Sequence, residues 1–436
     1  MEAVSVCIMG GAFAVFCSGA SLAASPSFKS ELAGLIADHP RIRAERASLE
    51  ATRQQVDQAF AGYAPQLDVT GNIGPTNIQT ETREELGLEP FTEVQKVVRM
   101  TLAQNVFDGF ETPARVRMAR LNTEVAEQTL EGRIQEVLIA GIGAYLDILR
   151  QRRLVELARI SEDSIRTQAR LEDERVERGA GITVDVLQAR ARMQIAEERR
   201  VAFEGALQDA ISRYIQVFNH APHLEGLSNP TPPEHLLPPN IEAAVDAARH
   251  DNPAVTSSLA TVEVAAERRR LAKADFYPKL DVVTAADYES NYDLQPGNRR
   301  DFSVLLQATW NIFNGFATTA GVKQAAYDYR ASQDNHEWVT RSVVEATRLA
   351  WQQLRTARER QALLVKAVAI AEDVFEARRD LRESGKETVI NVLIAEDEVN
   401  NARINLTVAQ YDAMTAVYQV LQAMGRLTPS ALDLRN

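Results

Sequence analysis

The hexapeptide Asn105-Val106-Phe107-Asp108-Gly109-Phe110 returns as Asn311-Ile312-Phe313-Asn314-Gly315-Phe316, an offset of 206 (Asn105 to Asn311). The same offset carries Gly179 onto Gly385 and Val186-Leu187-Gln188-Ala189 onto Val392-Leu393-Ile394-Ala395. Upstream, Pro65-Gln66-Leu67-Asp68 recurs as Pro278-Lys279-Leu280-Asp281, and His39-Pro40 as Asn252-Pro253, at an offset of 213 (Pro65 to Pro278). The change of offset falls between the two groups of landmarks, so one copy has a shorter loop there. A chain that contains itself twice over such lengths reads as a pseudo-symmetric assembly rather than an enzyme with a single cleft.

Before each hexapeptide the sequence has period two. Leu67, Val69, Gly71 and Ile73 alternate with Asp68, Thr70 and Asn72; a returning segment sets Val94, Val98, Met100, Leu102 and Val106 against Glu93, Gln95, Arg99, Thr101 and Asn105. In the second copy Leu280, Val282, Ala286 and Tyr288 oppose Asp281, Asp287 and Glu289. Phe302, Val304, Leu306, Ala308, Trp310 and Ile312 then oppose Asp301, Ser303, Gln307, Thr309 and Asn311. This predicts four strands of about 10 to 15 residues, each with one apolar face, long enough to cross a bilayer at a tilt. Four strands cannot close a barrel, and an open edge in lipid leaves unpaired backbone groups costing several kcal/mol each. Closure then needs other copies, and two, three or four chains would give barrels of 8, 12 or 16 strands. A soluble sheet packed on helices is the alternative that alternation alone leaves open.

After each hexapeptide the pattern turns helical, from Thr112 to Arg178 and from Ala317 to Glu383. Some 65 residues at 1.5 Å per residue reach about 100 Å, far beyond a globular helix. Ile134, Leu138, Ile142, Tyr145 and Leu149 step as one seam of a coiled coil. From Arg150 to Arg178 only a thin apolar stripe of Leu154, Leu157, Ile160, Leu171 and Val176 remains. Gly179 and Gly385 end these helices, and new ones run from Thr183 to Phe218 and from Thr388 to Met424, making two tall hairpins. Shorter helices precede the strands, from Ser30 to Tyr63, punctuated at Pro40, and from Ile241 to Phe276. The segment Ala221 to Asn240 holds six prolines, and we expect an extended linker belonging to neither copy. The expected organisation is a signal peptide over 1–24, a first repeat over 25–220, a linker over 221–240, a second repeat over 241–428 and a short tail over 429–436.

Composition narrows the function. Residues Ala3 to Phe16 are apolar apart from Ser5 and are followed by small residues, which reads as a secretory signal lacking the usual basic start; a short membrane anchor is the alternative. Both cysteines, Cys7 and Cys17, lie in this segment, so disulfides are not expected as staples. A formal charge of −12 without a basic stripe disfavours nucleic acid as a partner. His39, His220, His223, His235, His250 and His336 form no ligand pattern, and neither a phosphate loop nor a nucleophile elbow is present. No metal, no cofactor and no catalytic residue is expected.

The duplicated order of helix, two strands and long hairpin resembles the TolC family of outer-membrane factors over Ser30 to Leu427. The resemblance is carried by the two hexapeptides and by the tips Gly181-Ile182-Thr183-Val184-Asp185-Val186-Leu187 and Glu387-Thr388-Val389-Ile390-Asn391-Val392-Leu393. It implies a mainly α fold with a membrane β-barrel portion: a homotrimer whose four strands per protomer complete a 12-stranded barrel, continued by a long α-helical coiled-coil tunnel. The implied place is the outer membrane of a Gram-negative bacterium, with the helices in the periplasm. The implied partners are outer-membrane lipid, a periplasmic adaptor and, through it, an inner-membrane ABC or RND-type transporter.

By the same resemblance, Gly179, Gly181, Val186, Leu187, Gly385, Val392 and Leu393 would dock the adaptor. The tunnel entrance would narrow at Asp185, Arg382, Lys386, Glu387, Asn391 and Ile394. Many members place acids where this chain has Asn391 and Ile394, so a strong cation-binding ring is not expected; Asp185 paired with Arg382 or Lys386 is the expected weak latch. Phe107, Gly109, Phe110, Phe313, Gly315 and Phe316 would form the barrel-to-tunnel junction, and their glycine-containing form looks most like members serving type I protein secretion. Multidrug efflux is the same-fold alternative, and a periplasmic coiled-coil scaffold or adaptor without a pore is the alternative of another class.

Overall fold

In the computed structural model, which describes residues 27–179, 182–292 and 296–434, the duplication is visible element by element. The first half runs through α1 (Phe28–Asp38), α2 (Pro40–Phe60), β1 (Gln66–Ile78), the short α3 (Glu81–Glu85), β2 (Phe91–Phe107), α4 (Glu111–Glu177) and α5 (Thr183–Phe218). The second repeats it as α6 (Ile241–Asp251), α7 (Pro253–Ala274), β3 (Lys279–Ser290), β4 (Asn298–Thr309), α8 (Ala317–Glu383) and α9 (Val389–Ala423). Both long helices, α4 and α8, have 67 residues. The expected signal segment lies outside the described residues.

The repeat extends to hydrogen bonds. His39 Nδ1 accepts the Arg41 N–H at 3.2 Å and Asn252 Oδ1 the Ala254 N–H at 2.9 Å, so each half caps its second helix just ahead of a first-turn proline. Gln104 Nε2 donates to the Tyr63 carbonyl, and its counterpart Trp310 Nε1 donates to the Phe276 carbonyl, both at 3.1 Å.

The strands form one open antiparallel sheet in the order β1-β2-β3-β4. Register aligns the alternating faces across all four. Leu67 lies opposite Leu102, Leu102 opposite Thr284 and Thr284 opposite Val304, while the next such row is Val69, Met100, Ala286 and Phe302. The other face carries Thr70, Arg99, Asp287 and Asp301, with Arg99 Nε 2.7 Å from Asp287 Oδ1. The apolar face is bare: Ile73 is 74% exposed, Phe302 74% and Leu306 71%. Among the described residues no helix lies across either face, and the sheet meets the helices only at its base. This excludes the soluble sheet packed on helices.

One strand length and one strand end depart from expectation. β2 reaches 17 residues because its two neighbours are staggered along it, β1 pairing with Phe91 to Ala103 and β3 with Lys96 to Phe107. β4 ends at Thr309, which pairs with Lys279, the first residue of β3. Trp310 and Ile312, expected within the strand, have no ladder partner beyond that point.

The main core lies where α1 and α6 meet the long helices. Leu138, Ile142, Tyr145 and Leu149 of α4 pack there with Leu32, Tyr214, Leu354, Tyr418 and Leu421. The Pro-rich segment is not a detached linker. It holds two 3-10 turns, buries Leu227 in this core, and is fastened by Tyr145 Oη to the Ser228 carbonyl at 3.0 Å and by Tyr411 Oη to Asn229 Oδ1 at 2.8 Å. The tail likewise packs inward through Leu432 and Leu434. Nearer the tips, Leu154 and Leu157 are buried as expected, but Ile160 and Leu171 are exposed. The buried line continues instead through Ala158, Ser161, Ile165, Ala169 and Glu172, residues too small or too polar to stand out as an apolar stripe.

Candidate tunnel entrance and barrel junction

The second hairpin tip is built by a helix stop and restart. The Gly385 N–H donates to the Arg382 carbonyl at 3.0 Å and the Lys386 N–H to the Leu381 carbonyl at 2.9 Å, with Gly385 at φ +73°, the pattern that ends a helix with its carbonyls satisfied. Glu387 then folds onto the start of α9. Its Oε1 accepts from Asn391 Nδ2 at 2.6 Å and from the Thr388 N–H at 2.9 Å, and these bonds hold its carboxyl below the usual range. Asn391 is therefore engaged within its own tip. Gly179, at φ +75°, follows α4 with its N–H donating to the Val176 carbonyl at 2.9 Å, while Gly181 lies outside the described residues.

The ion pairs at this end differ from the expected latch. Arg382 Nη2 lies 3.2 Å from Glu172 Oε1, and Arg382 Nη1 donates to the Glu387 carbonyl at 3.2 Å. The Glu172 side chain is 4% exposed and also meets Arg175 at 3.0 Å. Arg382 thus ties the second hairpin to α4 of the first, and neither it nor Lys386 pairs with Asp185 within the protomer. Asp185 sits in the first turn of α5, where a carboxylate complements the positive end of the helix. Glu172 escaped the sequence reading because a charged residue on a long polar helix looks solvated. Its spacing of seven from Ile165 and of fourteen from Ala158 was the available signal.

Several residues assigned to docking are structural. Val186, Val392 and Leu393 are buried, and Leu393 joins Ala169, Ala189 and Val389 in a small cluster that holds the two hairpins together. The apolar residues left exposed here include Ile182, Val184 and Leu187 on the first tip and Leu381 and Ile394 on the second. The duplication hides this difference, since Leu187 and Leu393 are equivalent by sequence yet 60% and 2% exposed.

Away from the tip the α4–α9 seam is polar. Asn400 Nδ2 donates to Ser161 Oγ at 2.8 Å, and one oxygen of the buried Glu396 has no partner among the described residues. Burial pushes the Glu396 carboxyl up, opposed by the Ser164 hydroxyl and reinforced by Asp397. Because its folded pKa is raised, its contribution to stability is fully present below the ordinary value of 4.5 and is lost as pH rises through the folded value. Glu396→Gln should accordingly raise the melting temperature at about pH 8.5 and leave it unchanged at about pH 4. Circular dichroism at both pH values checks this; equal shifts would show that ionisation is not the cause.

At the base of the sheet the two hexapeptides make one corner twice. Asp108 Oδ2 accepts the Thr112 N–H at 2.7 Å and Asn314 Oδ1 the Thr318 N–H at 3.4 Å, starting α4 and α8. Phe110 and Phe316 adopt φ of 71° and 68°, a conformation that costs a non-glycine residue about 1–3 kcal/mol. In each corner the ring packs edge-on against the preceding Phe107 or Phe313 at 5.4 Å, which offsets part of that cost. All six predicted junction residues are thus brought together in two matching corners.

A sheet bare on both faces, set at one end of helices about 100 Å long, is the protomer of an outer-membrane channel with a helical tunnel. The chain belongs to the outer membrane efflux protein family, whose pattern matches residues 33–217 and 244–426. The outer membrane efflux protein BepC of Brucella suis is 25% identical over 433 residues, covering 97% of this chain and 91% of BepC. The alkaline protease secretion protein AprF of Pseudomonas aeruginosa is 26% identical over 404 residues, covering 91% and 83%. The solved Campylobacter jejuni CmeC outer membrane channel shares the fold with a TM-score of 0.80 at 13% identity, over 92% of this chain and 86% of that one. The protein is an outer-membrane channel component of an export system.

Proposed function

We propose that three copies of this chain close a 12-stranded barrel in the outer membrane and that their hairpins form a periplasmic tunnel serving type I protein secretion. The observation that carries the channel reading is the open four-stranded sheet with one largely apolar face, interrupted at Lys96, Gln104 and Thr284, and nothing packed on it, because such a sheet is stable only in lipid and only when its edges are closed. Cargo would enter at the tips after an adaptor, itself linked to an inner-membrane transporter of ABC type, has docked on the exposed Ile182, Val184 and Leu187. The chain contributes positioning and a passage rather than catalysis. Protein cargo is supported by the likeness to AprF, named for alkaline protease secretion.

A second reading, efflux of small toxic molecules through an RND-type pump, is favoured by the likeness to BepC over nearly the whole of both chains. Deleting the gene separates them. Type I secretion predicts the loss of particular proteins from the culture medium with unchanged sensitivity to a panel of dyes, detergents and antibiotics. The reverse result would assign efflux.

A further inference from the structure

In the tall hairpins α4 of the first lies against α9 of the second, with α5 and α8 on the outer flanks. One side of this four-helix wall carries the appended elements: Leu32 of α1, Ala244 of α6, Leu227 of the Pro-rich segment and Leu432 of the tail share one core with Leu138, Ile142 and Tyr145 of α4. The other side holds two grooves, of about 720 Å³ and about 370 Å³. Asp147, in the first, follows Leu138 by nine residues, about two and a half turns, and so lies on the opposite face of α4. Ser161, in the second, follows Gly143 of the first by 18 residues, about five turns, so both grooves share that face. The appended elements would fill a passage if they lay inside it, which leaves the grooved side to line the tunnel. We propose that the two grooves form a track that binds the carboxylates of an acidic, extended polypeptide as it passes. This rests on the channel proposed above and names the class of its cargo.

The charges in the grooves are unequal. Arg150, Arg213 and Arg360 line the first against Asp147 and Asp412, and Arg192 and Arg199 line the second against Asp397: five guanidiniums for three carboxylates, in a chain whose formal charge is −12. Each carboxylate is shared. Asp147 meets Arg150 at 2.6 Å and Arg213 at 2.7 Å, but Asp412 lies 3.7 Å from Arg150 and 3.8 Å from Arg360, and Asp397 lies 3.4 Å from Arg199 and 3.8 Å from Arg192. The longest of these contacts exceed hydrogen-bond range, and among the described residues neither Arg192 nor Arg360 makes a hydrogen bond. The Arg192 side chain is nonetheless only 27% exposed. A guanidinium carries several N–H donors in a fixed fork and takes a carboxylate through two parallel bonds, so Arg192 and Arg360 are equipped to receive acidic side chains. Arg159 and Arg200, which line neither groove, show the contrast: both meet Glu204 at 2.8 Å.

Spacing favours a polypeptide over a small anion. Asp397 and Asp412 are 15 residues apart on α9, about 22 Å along the helix axis, a distance that an extended chain covers with about seven residues. A small anion occupies only one of the two centres. A chain with acids about seven residues apart reaches both, and the neutral Gln352, Gln353, Thr356 and Gln419 around the first groove can hydrogen-bond to any backbone.

Fluorescent oligoglutamate of about 15 residues, long enough to span both centres, should bind the purified full chain in mild detergent, and oligolysine of equal length should not. Arg192→Gln combined with Arg360→Gln should weaken that binding at least about tenfold, the loss expected for one charged hydrogen bond or more, while Arg159→Gln outside the grooves should leave it unchanged. Should the double variant misfold, Asp412→Asn, which releases Arg150 and Arg360 from their shared carboxylate, should tighten binding instead. Equal binding of the two oligomers, or an unchanged affinity in the folded double variant, would overturn the track. Free glutamate binding as tightly as the oligomer would assign a small-anion site and overturn the polypeptide reading. Single-channel recording keeps this apart from the channel itself: current steps without oligoglutamate binding would overturn the track alone, whereas binding without current steps in the parent or in Arg382→Ala would sink the channel on which the track rests.

Discussion

Val304→Arg should remove most of the protein from the outer membrane, whereas Ser303→Arg should leave it inserted. The two residues are adjacent in the middle of β4 and neither is buried in the protomer, so position along the strand does not separate them. Their faces do. Val304 continues the row Leu67, Leu102 and Thr284, and Ser303 the row Asp68, Thr101 and Ala285. A cationic side chain facing lipid near the midplane costs about 2–4 kcal/mol, and a trimer would carry that cost three times. On the other face the same side chain stays in water and joins Arg99, Asp287 and Asp301. Quantifying both variants in washed outer-membrane fractions checks this, and equal yields would mean that the faces are assigned wrongly.

Arg382→Ala should open the periplasmic end, raising single-channel conductance several-fold, while Asp185→Ala should change it little. Arg382 joins the second hairpin to Glu172 of the first, and removing one partner of a buried ion pair typically costs about 3–5 kcal/mol because the other charge is left uncompensated. Arg175 still faces Glu172, which places the expected effect at the lower end. Asp185 makes no such link, and its contribution at a helix start is about 0.3–1 kcal/mol. Glu172→Gln combined with Arg382→Ala should add little to Arg382→Ala alone, as expected for two residues acting through one contact. If Asp185→Ala opened the pore and Arg382→Ala did not, the closing contact would lie elsewhere.

The strands, the long helices and the two corners were legible because each depends on a local signal: alternation, sustained helical period, or a Gly beside a capping Asp or Asn. The fastened Pro-rich segment was not, since the bonds from Tyr145 and Tyr411 to Ser228 and Asn229 join residues far apart in sequence. At the tips the repeat itself misled. Val186, Val392 and Leu393 look like exposed tip residues from their position beyond a glycine turn, but the crossing of two hairpins buries them, and only Leu187 of the equivalent pair Leu187 and Leu393 stays on the surface. The polar seam of Ser161, Glu172, Glu396 and Asn400 escaped notice because charge and small size on a long helix ordinarily mean solvent.

The central claim is that copies of this chain form a conduit through a lipid bilayer, and single-channel recording tests it most directly. Purified protein added to a planar bilayer should produce discrete current steps of uniform size, small for the parent and larger for Arg382→Ala. Protein that inserts, shown by protection of its strands from protease, yet gives no steps in either form would contradict the account.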